Sequence, residues 1–129
     1  MCIVSVVITT LNRPLPLLAA VRSVLAQTLK EFEIIVIIDG PTAATFDEVR
    51  AIGDPRLKIV ALPANVGLAE ARNAGIRQAQ GRYIALLDDD DEWLPKKLEL
   101  QVAKAQELGG DHVFVPCRFI AAGWFVFLL

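Results

Sequence analysis

Four short apolar runs rich in β-branched residues constrain the fold of this chain more than any other feature. They span residues 3–9, 33–38, 57–62 and 83–87, and the first two contain few polar positions. A strand that is apolar on both faces is typical of a parallel sheet, because helices cover both sides of such a sheet. The runs therefore predict the buried strands of an α/β protein.

The segments between these runs have helical patterns. In the first segment, apolar residues recur at the spacing of one helix face, namely Leu17, Leu18, Val21, Val24 and Leu25. Residues 45–48 fit a capping box that opens a short helix to about Ile52. Residues 68–80 predict an alanine-rich helix that Gly81 would end.

A last helix and a further strand complete the predicted order. The helix starts at Pro95 and ends at Gly109-Gly110. Its inner face is marked by Leu94, Leu98, Val102 and Ala105. Residues 112–116 are a candidate fifth strand. Alternating strands and helices predict a mainly parallel sheet flanked by helices, and the 129 residues fit one domain, 1–129.

The apolar C-terminal segment 119–129 has no charged residue and is the least typical part of the chain. As a helix it would be only about 16 Å long, too short to cross a bilayer. A buried or edge strand is the first interpretation. Contact with a second subunit, with a missing C-terminal half of the protein or with a membrane surface is left open.

Charge and targeting signals narrow the possible partners and location. A net charge of -2 argues against nucleic acid as the main partner. No run of apolar residues is long enough to span a membrane, and the N-terminus lacks the features of a signal peptide. We therefore expect a cytoplasmic protein, and peripheral contact with the inner face of the membrane is left open.

Polar side chains follow three of the predicted strands at the point where each strand ends. Residues 9–13 follow the first strand, Asp39-Gly40 the second, and residues 88–92 the fourth. Ligands of open parallel sheets bind beyond the carboxyl ends of the strands. These clusters are therefore expected to converge on one pocket.

The acidic run 88–91 is the sharpest chemical signal in the sequence. Four adjacent carboxylates repel one another, and a divalent cation would remove that cost. Carboxylate oxygens suit Mg²⁺ or Mn²⁺, whereas the single histidine argues against a typical zinc site. The alternative is a solvated loop whose acidic side chains stabilise the N-terminus of the helix that starts at Pro95.

Other candidate residues have plain structural alternatives. Asp39 could accept a hydrogen bond from a nucleobase or cap the turn at Gly40. Arg72 could pair with a phosphate or form a surface ion pair with Glu70 or a neighbouring acid. Asn12-Arg13 could be only a turn, and Trp93 is expected to be a core or rim aromatic.

Five stretches together resemble the inverting glycosyltransferase family 2, whose nucleotide-sugar-binding domain has the GT-A fold. They are VSVVITTLNR (4–13), SVLAQT (23–28), FEIIVIIDG (32–40), NVGLAEARNAGI (65–76) and GRYIALLDDDDEWLP (81–95). The resemblance implies a Rossmann-like GT-A fold and a nucleoside-diphosphate sugar, most simply a UDP-sugar, held through Mg²⁺ or Mn²⁺. A nucleotidyltransferase, which has a similar sheet, normally has a glycine-rich loop after its first strand. Residues 9–14 contain no glycine, so this alternative is disfavoured.

The resemblance also implies roles for individual residues. Nucleotide-sugar contacts would come from Thr9, Asn12, Arg13, Asp39, Arg72, Asp88 and Asp89. The metal would be bound by Asp88 and Asp90 of a motif that resembles Asp-x-Asp.

The chain also departs from the family pattern. Leu11 stands where the family usually has tyrosine, and Ile38 where it usually has a first aspartate. The acceptor half of the family domain is expected to be missing, and no catalytic residue is assigned, since Asp111 is not a credible base. The alternative is a truncated, inactive relative that acts as a self-associating or nucleotide-binding module.

Overall fold

The computed structural model of the protein describes residues 2–44, 46–109, 112–116, 119–122 and 125–128. Its strands are β1 (Val4–Thr10), β2 (Phe32–Ile38), β3 (Leu57–Ala61), β4 (Tyr83–Asp88), β5 (Glu92–Trp93), β6 (Phe119–Ala122) and β7 (Phe125–Leu128). Its helices are α1 (Pro14–Leu25), α2 (Asp47–Arg50), α3 (Leu68–Ile76) and α4 (Lys97–Leu108). The predicted alternation of strands and helices is confirmed through α4.

The main sheet is parallel and has the strand order β3-β2-β1-β4. Every residue of the two central strands, β1 and β2, is buried. The register places Thr9 of β1 opposite Asp88 of β4, and Thr10 of β1 opposite Ile38 of β2. The three strands therefore end at the same level, on one edge of the sheet.

The two faces of the sheet pack against different helices. One face carries the larger core, in which Leu17, Val21 and Val24 of α1 pack with β-strand residues such as Val6 and Ile8. Trp93 lies in this core and is only 4% exposed, as predicted for a core aromatic. Helix α3 covers the other face, where Ala71 packs with Ile35 and Ile37. Burying these aliphatic side chains is the main favourable term in folding.

Helix α3 is shorter than the sequence pattern predicts. It ends at Ile76 with Arg77 as its C-cap, so the prediction that Gly81 ends it is wrong. Gly81 instead lies against the start of β1, where an added Cβ would be 2.6 Å from the Ser5 amide nitrogen. Its lack of a side chain allows the chain to enter β4 beside β1.

The two other helices begin slightly differently from their predicted starts. Helix α2 has Phe46 as its N-cap and ends at Arg50, while Thr45 of the predicted capping box lies outside the described residues. Helix α4 begins at Lys97, so Pro95 and Leu94 precede it. The predicted inner-face residues Leu98, Val102 and Ala105 are buried.

The C-terminal part differs from its prediction. Residues 112–116 form no strand, because their backbone has no regular pairing. The small fifth strand is instead β5, which pairs in parallel with β7, and β7 pairs antiparallel with β6. The described residues of the C-terminal segment are therefore extended, as predicted, in the two strands β6 and β7. No helix within the described ranges combines the length and apolar character needed to cross a bilayer.

We expect Gly75→Ala in α3 to destabilise the protein, although alanine is the better helix former. An added Cβ would lie 2.4 Å from Cγ1 of buried Val7 and 3.3 Å from Cγ1 of Ile37. The shift of α3 should outweigh the gain in helix propensity and lower the free energy of unfolding by about 1 kcal/mol. Urea unfolding measures it. The control Asn73→Ala, on the exposed face of α3, should be close to neutral.

Candidate functional site

The carboxyl edge of the sheet holds a pocket of about 220 Å³. Its lining comes from the ends of β1, β2 and β4 and from α3, namely Thr9, Thr10, Leu11, Arg13, Asp39, Leu68, Ala71 and Asp89. The structure therefore brings the three polar strand ends together at the place where parallel sheets bind ligands.

The acidic run forms a tight turn directly after β4. Asp88 is the last residue of the strand, and the Asp91 amide donates to the Asp88 carbonyl at 3.1 Å. Asp89 points inward, with 8% of its side chain exposed, whereas Asp88 and Asp90 expose 51% and 53% of theirs. The turn thus offers one buried and two open carboxylates.

Arg13 neutralises the inner part of this turn. Its guanidinium contacts Asp89 at 2.9 Å and Asp90 at 3.0 Å. Thr10 donates from its hydroxyl to the same Asp89 carboxylate at 2.8 Å. Because of the hydrogen bond and charge of Asp89, the pKa of Arg13 is raised above its usual value. The Arg13 side chain is held in place by residues 76 positions further along the chain.

Arg72 reaches the same turn from α3. One of its guanidinium nitrogens lies 2.6 Å from the Asp88 carboxylate, while Glu70 pairs with Arg77 instead. Of the alternatives for Arg72, the ion pair with Glu70 is therefore wrong and the pair with a neighbouring acid is observed. Two arginines from separate helical segments converge on three successive carboxylates.

Asp91 differs from the three acids before it. It has neither arginine as a partner, and burial raises its pKa, to which the charges of Asp90, Asp88 and Asp89 contribute further.

The donor set of this turn fits a metal that arrives with a phosphate ligand. Mg²⁺ is usually bound by one or two carboxylates, with substrate phosphates and water filling the other positions. Asp88 and Asp90 could supply two such oxygens from the solvent side. Among the described residues there is no cluster of three or more potential ligands that would hold an ion by themselves.

Asp39 has a structural role that the sequence did not reveal. Its two carboxylate oxygens accept hydrogen bonds from the amides of Val66 and Gly67, at 2.8 and 3.1 Å. The Asn65 side chain donates to the Asp39 carbonyl at 3.2 Å. Asp39 therefore fixes the loop before α3 rather than capping Gly40, and it still lines the pocket.

The close approach of this loop explains the glycine that follows Asp39. Gly40 has a φ of +95°, and an added Cβ would lie 2.5 Å from the Asn65 amide nitrogen. A residue with a side chain would be strained in this backbone conformation and would push the loop away. The Asp39-Gly40 pair thus joins the end of β2 to the start of α3.

Asn12 is the one predicted contact residue of the first strand end that does not line the pocket. It has a positive φ of 54°, and its side-chain oxygen accepts from the Thr42 hydroxyl. It therefore joins two loops on the rim. Thr9, by contrast, lines the pocket as predicted by its position at the end of β1.

Four lining residues were not assigned as contacts from the sequence: Thr10, Leu11, Leu68 and Ala71. The role of Thr10 becomes clear only in the structure, where its hydroxyl donates to Asp89. Leu68 and Ala71 are ordinary residues in the first turn of a helix. Nothing in the sequence distinguishes Leu68 or Ala71 from other apolar positions.

Comparison with known proteins identifies the family. The pattern described as Glycosyl transferase family 2 matches residues 5–127. The succinoglycan biosynthesis protein ExoO of Rhizobium meliloti (strain 1021) is 40% identical over 108 residues. That alignment covers 84% of this chain and 31% of ExoO, so the chain spans about a third of this relative.

Solved structures share the fold. A structure of S. aureus TarS 1-349 in complex with UDP-GlcNAc has a TM-score of 0.74 at 24% identity, covering 81% of this chain and 31% of that one. The mannosyltransferase PcManGT from Pyrobaculum calidifontis, in complex with GDP-Man and Mn²⁺, has a TM-score of 0.69 at 24% identity, covering 78% and 31%. At this identity the likeness shows the fold alone, and it confirms the predicted GT-A architecture.

Proposed function

Because the chain belongs to glycosyl transferase family 2, we propose that it is the donor-binding part of a glycosyltransferase and binds a nucleoside-diphosphate sugar. The observation that carries this proposal is the convergence of three polar strand ends on one pocket, with Thr9, Asp39 and Asp89 in its lining. A UDP-sugar is the donor we favour, since TarS of the same fold is solved with UDP-GlcNAc.

We further propose that Asp88 and Asp90 hold Mg²⁺ or Mn²⁺ beside the diphosphate. Their side chains are half exposed, so each can be reached from solvent while it pairs with an arginine. When bound, such an ion would neutralise the charge that develops on a diphosphate leaving group. The GDP-Man and Mn²⁺ in the PcManGT structure support this assignment at the level of the fold.

The chain's own residues would orient the nucleotide. Thr9 and Asp39 lie on the β1 and β2 side of the pocket and would face the nucleoside. Asp88 and Asp89 would face the ribose, and Asn12 would support the loop after β1 through its contact with Thr42. Arg13 and Arg72 already lie within ion-pair distance of the acidic turn, so they are placed to meet a phosphate that approaches it.

Transfer itself needs a base that deprotonates the acceptor hydroxyl. The two carboxylates that line this pocket among the described residues are already bound, Asp39 by backbone amides and Asp89 by Arg13. We therefore assign donor binding to these residues and leave the base to the part of the relatives that this chain does not match.

Isothermal titration with UDP tests the proposal. We expect UDP to bind in the presence of Mn²⁺ and at least about 10-fold more weakly when EDTA removes the metal, because the ion screens diphosphate from the acidic turn. Uridine, which has no phosphate, serves as the control and should show little dependence on the metal. Binding of UDP that is equally strong with and without Mn²⁺ would contradict the metal assignment, and no binding of any nucleoside diphosphate would overturn the function.

A further inference from the structure

We propose that Gln27 is a positioning residue. Its side chain holds the segment that follows the acidic turn, here called the exit side, and thereby fixes the positions of the Asp88 and Asp90 carboxylates for nucleotide binding. The inference rests on the proposed function and concerns a part of the chain outside the pocket. Gln27 lies just beyond α1, in the stretch SVLAQT, and its side chain is fully buried. Burying a side-chain amide completely costs free energy unless its hydrogen-bonding groups have partners.

The two flanks of the acidic turn are held in different ways. On the entry side, β4 is paired with β1 up to Asp88, so the sheet itself fixes the chain. On the exit side, the chain leaves the main sheet and forms β5, which pairs with β7, and residues from the end of α1 bind the segment around it. The Trp93 amide donates to the Ser23 hydroxyl at 3.1 Å, and the Thr28 amide donates to the Pro95 carbonyl at 2.8 Å.

Gln27 makes the most buried contacts of this group. Its side-chain nitrogen donates to the Leu94 carbonyl at 2.7 Å and to the Ser23 carbonyl at 3.2 Å. Its side-chain oxygen accepts from the Leu98 amide at 2.9 Å. One amide group therefore binds both sides of the bend at 94–98, with donor and acceptor each in use.

The contact with Leu98 also explains how α4 begins. No side chain of its own segment caps this helix, whose N-cap is Lys96. The first amides of a helix have no partner within the helix, and an uncapped start is costly when buried. Gln27 supplies the missing acceptor from a position 71 residues earlier in the chain.

Helix α1 thus connects to the acidic turn from both of its ends. Arg13, at its N-cap, binds Asp89 and Asp90, and Gln27, just past its C-terminus, binds the segment that follows the turn. Loss of the Gln27 contacts would loosen the exit side, where the contacts of Ser23, Thr28 and β7 remain, and would leave the main sheet and Arg13 intact. The turn would then sample positions in which Asp88 and Asp90 no longer face one ligand, and such a displacement lowers affinity.

The test compares Gln27→Met with Ser5→Ala. Methionine keeps the length of the side chain and removes both hydrogen-bonding groups. Ser5 is the matched control, because it is equally buried but lies at the start of β1, at the end away from the pocket. Its hydroxyl donates to Glu33 and accepts from the Gly81 amide. Two quantities are measured at temperatures equally far below each melting midpoint: hydrogen exchange of the Asp91 and Trp93 amides, and affinity for UDP with Mn²⁺.

We expect Gln27→Met to raise exchange at Asp91 and Trp93 by about 10-fold and to weaken UDP binding by about 5- to 10-fold, the effect of losing one or two hydrogen bonds. Ser5→Ala should change neither. Equal effects in the two variants, or faster exchange in Gln27→Met with unchanged UDP affinity, would overturn the positioning role. If the unmodified chain binds no UDP, the proposed function fails, while unchanged exchange in Gln27→Met would separately refute the hold on the turn.

Discussion

Asp90→Asn is expected to lose most Mn²⁺-dependent binding of UDP while the fold stays intact. Loss of a group beside a metal ligand typically lowers metal affinity by about 10- to 100-fold, and a ligand itself should lie at the upper end, about 100-fold. Asp90 is suited to this test because its side chain is half exposed and, within the described part of the chain, forms an ion pair only with half-exposed Arg13. A loss of binding in this variant can therefore be distinguished from a loss of folded protein.

The stability of this variant should change little. An ion pair between two exposed side chains contributes about 0 to 1 kcal/mol, which corresponds to a shift in melting temperature of less than about 5 °C. Asparagine also preserves the size of the side chain. Circular dichroism melting curves of the two proteins should therefore nearly coincide.

The control for Asp90→Asn is Glu107→Gln, which removes one negative charge at the far end of α4. Glu107 is exposed and pairs only with Lys104 among the described residues. Its substitution should leave titration of UDP with Mn²⁺ unchanged. Full Mn²⁺-dependent affinity in Asp90→Asn would refute this residue as a metal ligand, and an equal loss in Glu107→Gln would indicate a general charge effect.

The order of elements could be predicted from the sequence because strong local patterns determine it. The runs that became β1 and β2 are apolar on both faces, and only a covered parallel sheet buries such strands fully. The polar ends of these strands also had to meet, since parallel strands share one carboxyl edge. The sequence alone therefore predicted that these polar residues lie close together. In the structure, four of them line one pocket: Thr9, Arg13, Asp39 and Asp89.

The errors came from contacts between residues distant in the chain. Gly81 looks like a helix terminator, but its backbone is needed against Ser5, 76 positions earlier. The short strand β5 exists only because it pairs with β7, which no local pattern of Glu92–Trp93 indicates. Strand formation depends on the partner more than helix formation does.

The pairing of charges could be predicted only for Arg72, for which an ion pair with a neighbouring acid was one of the alternatives. The acidic run suggested a cation, and the structure provides two protein cations, Arg13 and Arg72, on Asp88, Asp89 and Asp90. Arg13 was predicted as a nucleotide contact, and its pairing with Asp89 joins positions whose proximity follows only from the β1–β4 register. The ion pairs and a bound metal are compatible, because Asp88 and Asp90 each keep half of the side chain exposed.

Asp39→Ala is expected to have the largest effect on stability, with a loss of about 2–3 kcal/mol in the free energy of unfolding. The substitution removes the acceptor of two backbone amides, Val66 and Gly67, and leaving such donors unsatisfied costs about 1–3 kcal/mol each when they are buried. These two amides belong to exposed loop residues, although the hydrogen bonds themselves are partly buried, so water replaces part of the loss. Urea unfolding measures the change.

The control for this loop is Asn65→Ala, which removes only the contact between the Asn65 side chain and the Asp39 carbonyl. The carboxylate and its two amide partners remain, so the loss should stay below about 1 kcal/mol. A similar loss in both variants would show that the loop as a whole, and not the carboxylate, stabilises this edge of the sheet.

The milder variant Asp39→Asn decides whether this carboxylate also contacts the nucleobase. Each carboxylate oxygen has a second lone pair, so Asp39 can hold the loop and still accept from the N–H of a base. We expect affinity for UDP with Mn²⁺ to fall by about 10-fold, and affinity for inorganic pyrophosphate with Mn²⁺ by less than about 2-fold, because pyrophosphate has no base. Equal losses for the two ligands would restrict Asp39 to its role in the loop. The comparison is informative because both ligands use the same metal and the same acidic turn, and only the contact at the end of β2 differs between them.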